Sequence, residues 1–482
     1  MSALATSAPE RLAPLARLEA LCDPGTLELI RTGVRSRRLN GGGQDGDGVV
    51  AGFGAVAGRP VACYAQDISF MGGSLGEEQA RSQLAVLRLA AEARVPVVGF
   101  VESGGARLQE GLAALAGYGE IFAQIVALSG RVPQISVIAG TCAGGGAYAP
   151  ALTDFVVMTR EASMFLTGPG VVHEVMGEVV TLDELGGPRV QAANGVAHFE
   201  ADDDDAAALL VRDLLGYLPS RSGARPPHVV PWAEPAGDPG RHVPRSARKV
   251  YDIRDVAADL VDGGELLEFA PRWARNIVCA FARVQGRPVG IVANQPRWLG
   301  GAIDADAAQK AARFVRSCHL FGLPLLVLVD TPGFLPGARQ EAAGVIRHGA
   351  KLVHAFAEAR TPKLTVVLRK SFGGAHIAMN SRALGAHLVL AWPGSELGVM
   401  GGQQAVGVVN RRELAAAGDP VALRTTLGQA YADEHLGAQV AAAEGTVDQV
   451  IEPGETRARI AGALRLFSDK HLDNEPAGNV PL

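Results

Sequence analysis

Leu12, Leu15, Leu18 and Leu21 recur at helical spacing, and Asp23, Pro24 and Gly25 break the run, so the chain opens on a helical lead-in. Residues 41–48, rich in glycine and aspartate, read as a flexible loop. Alternating patterns at Val49–Val56 and Arg59–Gln66, split by Ala57 and Gly58, predict two short strands and a turn. From Glu77 to Arg94, Leu84, Leu87 and Ala91 share a helix face. An apolar strand then starts after Pro96 and ends in a glycine turn at Gly104 and Gly105. A second apolar strand follows Pro133 and runs into Gly144, Gly145 and Gly146.

The pattern then repeats. Strands at Ile277–Val284 and Val289–Asn294 precede an alanine-rich helix from about Asp306 to Phe321. The strand after Pro324 ends at Gly333, and the strand after Pro362 ends at Gly373 and Gly374. The offsets are 228 (324 − 96), 229 (362 − 133) and 229 (374 − 145), which marks a duplicated unit. Seven prolines in residues 219–244 mark a linker, so the expected domains are 1–240 and 241–482. Strands alternating with helices make the fold class α/β. No dinucleotide-binding glycine motif and no phosphate-loop lysine motif is present.

Composition narrows the function. A net charge of −5 and 48% hydrophobic residues fit a soluble protein with no nucleic-acid surface. The five cysteines include no Cys-x-x-Cys pair, which argues against a zinc ribbon and a disulfide framework and for a reducing cytoplasm. No metal site is expected. Residues 132–153 lack charge, but four glycines and two prolines interrupt them, so they read as buried strand, turn and helix start rather than a membrane span. The run Asp202–Asp205 reads as a solvated loop.

The candidate chemistry lies in the glycines. A strand ending in glycines and entering a helix exposes bare backbone N–H groups at the positive end of the helix dipole. Such donors can form an oxyanion hole, and they can equally serve only tight strand–helix packing. Two copies at one spacing favour the functional reading. Ser103, Gly104, Gly105, Ala106 and Arg107 form a further glycine turn whose amides, with Arg107, could hold a phosphate or carboxylate; Arg107 could equally pair with Glu110 or Glu120. No Gly-x-Ser-x-Gly elbow occurs, and Cys142 reads as a buried apolar residue rather than a nucleophile. His173, His348 and His376 are candidate bases, with His376 favoured for shape rather than catalysis.

The chain resembles the carboxyltransferase (beta) subunit of biotin-dependent acyl-CoA carboxylases, of the type with both crotonase-like halves on one polypeptide. The resemblance covers nearly the whole chain. It rests on Arg17–Gly25, Met71–Glu77, Ser103–Arg107, Pro150–Asp154, Asn294–Pro296, Lys310–Val315, Thr331–Gly337, Ile346–Lys351, Arg369–Ala375, Ala391–Pro393 and the terminal Gly478–Leu482. It implies two tandem crotonase-like domains and transfer of a carboxyl group to the α-carbon of a short acyl-CoA. The donor implied is carboxybiotin on a separate biotin carrier protein. Gly144 and Gly145 would hold the thioester oxygen, and Gly374 and Ala375 the biotin oxygen. Ser103 to Arg107, Gly146, Phe372, Gly373, His376 and Ile377 would line the substrates. Biotin freed of its carboxyl group would take the α-proton, consistent with the lack of a convincing side-chain base. Also implied are a homohexamer with active sites between neighbouring subunits, a biotin carboxylase partner and a small accessory subunit. Relatives usually carry aspartate at Thr331, glycine at Ala343 and tyrosine at His376. An apolar Ile377 implies acetyl-CoA as substrate, with propionyl-CoA second. A decarboxylase running the reverse transfer and a non-catalytic scaffold are the competing readings.

Overall fold

The computed structural model describes residues 11–39, 43–231, 233–235, 237–246, 249–468, 470 and 478–479. They form two compact units, one made by the chain up to residue 225 with 478–479, the other starting at 226. The division falls in the proline-rich stretch that also holds the expected 240/241 boundary. Residues 478–479 belong to the first unit, where Asn479 N–H donates to Ser129 Oγ at 2.8 Å and its side-chain amide to Asp154 Oδ1 at 3.2 Å.

The first unit is built on one sheet. Its strands are β1 (Glu28–Ile30), β2 (Val49–Val56), β3 (Arg59–Gln66), β4 (Val97–Ser103), β5 (Gln134–Ala143), β6 (Phe155–Thr159), β7 (Ser163–Phe165) and β8 (Phe199–Ala201). They lie in the order β1-β2-β3-β4-β5-β6-β8, with β7 paired to the end of β5. The second unit has β9 (Leu267–Phe269), β10 (Ile277–Val284), β11 (Arg287–Asn294), β12 (Leu325–Thr331), β13 (Lys363–Phe372), β14 (Leu388–Ala391), β15 (Glu396–Gly398) and β16 (Gln449–Val450). Their order is β9-β10-β11-β12-β13-β14-β16, with β15 on β13. The duplication thus extends to topology. It reaches register too: the pairing shifts after Val101 to give Ser103↔Cys142, and after Val329 to give Thr331↔Ser371.

Every residue of β4 and of β12 is buried. Parallel strands covered on both faces must be apolar throughout, which is why these runs do not alternate. Helices Glu77–Ala93 and Leu112–Leu128 pack together in the first unit, as Ala305–Leu320 and Val345–Glu358 do in the second.

Two local expectations need correction. Within the loop expected at 41–48, Asp45–Gly48 is an ordered single turn and Asp47 is fully buried. The acidic run 202–205 is not a solvated loop. Asp203 caps the helix Asp204–Tyr217 by accepting from Ala206 N–H at 2.8 Å, and Asp204 is buried against Arg17 Nε at 2.9 Å.

Candidate active site

The candidate glycines stand where the parallel strands end. At Gly144 the backbone takes φ +60°, and its copy Gly373 takes the same value; this left-handed conformation turns the chain from β5 and β13 into the helices Gly145–Ala151 and Gly373–Ala378. Gly144 N–H donates to Phe165 O at 3.2 Å, so Gly144 supplies the turn rather than a free donor. Gly145 opens the helix, where no preceding turn offers a carbonyl, and among the described residues no backbone acceptor takes its N–H.

The loop after β4 lies beside this turn. Leu75 bridges Ala106: Leu75 N–H donates to Gly105 O at 2.8 Å, and Arg107 N–H to Leu75 O at 2.9 Å. Ala106 N–H therefore points away from Leu75, toward the turn after β5. A β-carbon at Gly144 would come within 4.0 Å of Gly105 Cα. The second unit repeats this at Phe334, bridged by Ile303 through Ile303 N–H to Gly333 O at 3.1 Å and Leu335 N–H to Ile303 O at 2.8 Å. In each unit two amides on adjacent strand ends, Ala106 with Gly145 and Phe334 with Gly374, find no backbone acceptor among the described residues. Phe334 did not emerge from the sequence, because its amide is oriented by a bridge to a residue 31 positions earlier (334 − 303).

Side chains fix the first turn. Ser103 is buried; its hydroxyl lies 3.1 Å from Tyr118 OH and accepts from Gly105 N–H at 3.2 Å. Burial pushes the Tyr118 phenol up to about 12. A β-carbon would strike the Tyr118 ring at 2.8 Å from Gly145 and Ser103 Cβ at 3.0 Å from Gly146. Gly104 N–H is committed to Gly72 O at 2.9 Å. Cys142 donates to Gly146 O at 3.0 Å, and burial raises its thiol far above the usual range, so it is no nucleophile.

Arg107 does not face a ligand. Its side chain is fully buried, with Nη1 donating to Asp47 Oδ1 and Glu110 Oε1 at 2.8 Å each and Nη2 to Ser74 O at 3.1 Å. Of the two readings of Arg107, this geometry supplies the ion pair with Glu110. The two carboxylates in turn cap the helix Glu77–Ala93: Glu110 Oε2 accepts from Glu77 N–H at 2.6 Å and Asp47 Oδ2 from Gln79 N–H at 3.0 Å. The helix's own cap residue, Gly76, has no side chain for the task.

At the second turn, His376 Nδ1 lies 2.9 Å from Ser371 Oγ, and burial lowers its pKa, so its ring is neutral at pH 7. Ile377 is 49% exposed and Phe372 is buried. A β-carbon at Gly374 would meet Phe334 only at 3.6 Å. A cavity of about 510 Å³ adjoins the turn, lined by Phe372, Lys370, Glu396, Val399, Gln404 and Gln429 among others. His173 is exposed on the helix Pro169–Met176, and His348 is buried on Val345–Glu358. Among the described residues no helix is long and apolar enough to cross a membrane, and no group of three or more His, Cys, Asp and Glu could hold a metal ion.

Residues 7–479 match the family model described as the carboxyl transferase domain. The chain is 47% identical, over 96% of its length and 90% of the relative's, to the methylmalonyl-CoA carboxyltransferase 12S subunit of Propionibacterium freudenreichii subsp. shermanii. It is 46% identical, over 97% and 90%, to the propionyl-CoA carboxylase beta chain of Saccharopolyspora erythraea. Among solved structures it is similar to transcarboxylase 12S, described as a hexamer with methylmalonyl-coenzyme A and methylmalonic acid bound, at TM-score 0.93, 46% identity and coverage of 98% of this chain and 92% of that one.

Proposed function

This chain belongs to the carboxyl transferase domain family as a carboxyltransferase subunit of the acyl-CoA carboxylase type, and from that premise we propose that it moves a carboxyl group from carboxybiotin, carried on a partner protein, to the α-carbon of acetyl-CoA, with propionyl-CoA as second substrate. The observation that carries this reading is the matched pair of amides that, among the described residues, find no backbone acceptor at the ends of equivalent strands. The reaction develops negative charge on two oxygens in turn, the thioester oxygen after α-proton loss and the ureido oxygen after the carboxyl group leaves. A fold with two such turns supplies one hole for each.

Ala106 and Gly145 would hold the thioester oxygen, and Phe334 and Gly374 the ureido oxygen. Gly144 and Gly373 shape the two turns, while Ala375 and Gly146 follow them into the helices. Each donor is worth about 2.7–4 kcal/mol of transition-state stabilisation, because it is aimed in advance where the charge appears. His376 stays neutral beside Ser371 and helps shape the second pocket. Ile377 contributes an apolar wall for a short acyl chain, where a carboxylate would pay for desolvation. The named relatives act on methylmalonyl-CoA and propionyl-CoA, so the acetyl preference rests on Ile377 alone. We further propose a homohexamer working with a biotin carboxylase and biotin carrier protein.

ATP-dependent bicarbonate fixation decides the matter. The purified chain is combined with acyl-CoA, a biotinylated carrier and its biotin carboxylase, and labelled malonyl-CoA or methylmalonyl-CoA is measured. Fixation that needs this chain supports the reading. No fixation into acyl-CoA although the carrier becomes carboxylated indicates a scaffold, and decarboxylation alone indicates the reverse transfer.

A further inference from the structure

The two units are not chemically equal at their turns. In the first, the register pair on β5 and β7 is Thr141↔Ser163, neutral, with hydroxyls 3.4 Å apart. In the second, the corresponding pair on β13 and β15 is Lys370↔Glu396, charged, and both residues line the cavity beside the turn. A cation has been placed on one copy only.

Its surroundings leave it open to a ligand. The Lys370 side chain is 16% exposed and its one ion pair among the described residues, with Asp330 Oδ1, spans 3.9 Å. That is too long for a hydrogen bond, and Nζ makes none among the described residues. Asp330 lies wholly buried behind it. Its Oδ2 accepts from Arg369 Nε at 3.0 Å and Tyr251 OH at 2.9 Å, while Oδ1 has no hydrogen-bond partner among the described residues. The counterpart of Asp330 in the first unit, Glu102, is instead bound by Arg17 at 2.6 Å and Arg11 at 3.1 Å. Asp330 thus holds Lys370 by charge without consuming its donors. An ammonium with free donors at the wall of a cavity is an anion site, and a carboxylate takes such donors as short, charge-assisted bonds.

We propose that Lys370 is the carboxylate anchor of the second unit, binding the carboxyl group in transit within this cavity. The proposal rests on the carboxyl-transfer reading above. In that transfer the donor's C–N bond breaks and leaves its electron pair on the ureido group. The α-proton passes to the ureido nitrogen, and the α-carbon pair forms the new C–C bond. The carboxylate charge present on the donor reappears on the product, so one cation serves both ends. Lys370 neither gains nor loses a proton, and its effect is on binding rather than on the barrier.

The test compares ligands differing only in the carboxylate. The dissociation constants of malonyl-CoA and acetyl-CoA are measured by calorimetry on the full chain, with the rate of biotin-dependent malonyl-CoA decarboxylation using free biotin. In Lys370→Met, malonyl-CoA binding should weaken by roughly tenfold or more, the loss typical of a charged hydrogen bond, with acetyl-CoA unmoved. Lys370→Arg should keep most of the affinity. Because the Met variant removes one of the two cations beside the buried Asp330 and leaves it only Arg369, the double variant Asp330→Asn/Lys370→Met separates folding from binding: whatever its thermal stability, it should not regain malonyl-CoA affinity. Recovery of affinity in the double variant, or parallel loss of both ligands in Lys370→Met, overturns the anchor. A wild-type chain without biotin-dependent turnover overturns the transfer reading and the anchor with it. A turning-over wild type with unmoved malonyl-CoA affinity in Lys370→Met overturns the anchor alone.

Discussion

At the scale of single residues, the two glycine turns differ in what they tolerate. A β-carbon at Gly145 would stand 2.8 Å from the Tyr118 ring, a rigid neighbour held by Ser103. Gly145→Ala should therefore cost stability as well as turnover, by about 1–3 kcal/mol of overpacking, read as a lower melting temperature. At Gly374 the same carbon meets Phe334 at 3.6 Å, ordinary contact. Gly374→Ala should melt like the wild type while its methyl group crowds the second hole and slows transfer, by up to about 10²-fold if it displaces one oxyanion contact. Unchanged turnover in Gly374→Ala would refute the second hole. Ile377, half exposed beside it, is the residue that should set acyl choice. Ile377→Asp should lower the acetyl-to-propionyl ratio of kcat/KM by roughly 10-fold or more, the worth of one or two methylenes in an apolar pocket. An unchanged ratio would remove Ile377 as the selector.

Among elements, ion pairs and histidines hold the strand ends in place. Arg107 ties the Asp45–Gly48 turn, the start of the helix Glu77–Ala93 and the loop after β4 into one buried cluster. Arg107→Met would leave two buried carboxylates without their cation and should destabilise the first unit by about 3–5 kcal/mol, measured by denaturant unfolding. A variant that loses acyl-CoA affinity at wild-type stability would reinstate the ligand role for Arg107. In the second unit, His387 Nδ1 accepts from Lys363 N–H, at the first residue of β13, at 3.1 Å. Burial first, then the charges of Lys470, Lys363 and Arg382, lowers its pKa to about 4. The folded value lies below the unfolded value of about 6.5, so its contribution is complete above pH 6.5 and is lost as pH falls toward 4. Stability should decline across that window because the unfolded chain takes up a proton that the folded ring refuses, and His387→Asn, which does not titrate, should flatten the decline.

For the whole molecule, apolar surface points to assembly. The helix Pro169–Met176 buries none of its residues, and Val175 and Met176 are 71% and 73% exposed. Val399, Val408, Val409 and Val421 of the second unit are likewise exposed. Exposed apolar helices of this kind mark interfaces. Light scattering should give six chain masses per particle, and Val175→Glu should shift it to smaller species. A wild-type monomer would refute the hexamer.

The sequence alone determined the duplication, the strands β2, β3 and β10 to their observed ends, and the glycine turns, because each is written in local periodicity or in residues with special backbone freedom. It also carried the motifs that identified the family. Tertiary structure decided the rest, wherever function depends on partners distant along the chain. Arg107 became a cap support because Asp47, 60 residues earlier, meets it in the core. Asp204 became an ion-pair partner because Arg17 packs over it from 187 residues away. Ala106 and Phe334 became candidate donors through bridges to Leu75 and Ile303. Lys370 became a candidate anchor only when β15 and the cavity stood beside it. Burial and hydrogen-bond partnership are properties of the packed chain, and local sequence does not encode which distant charge will meet which.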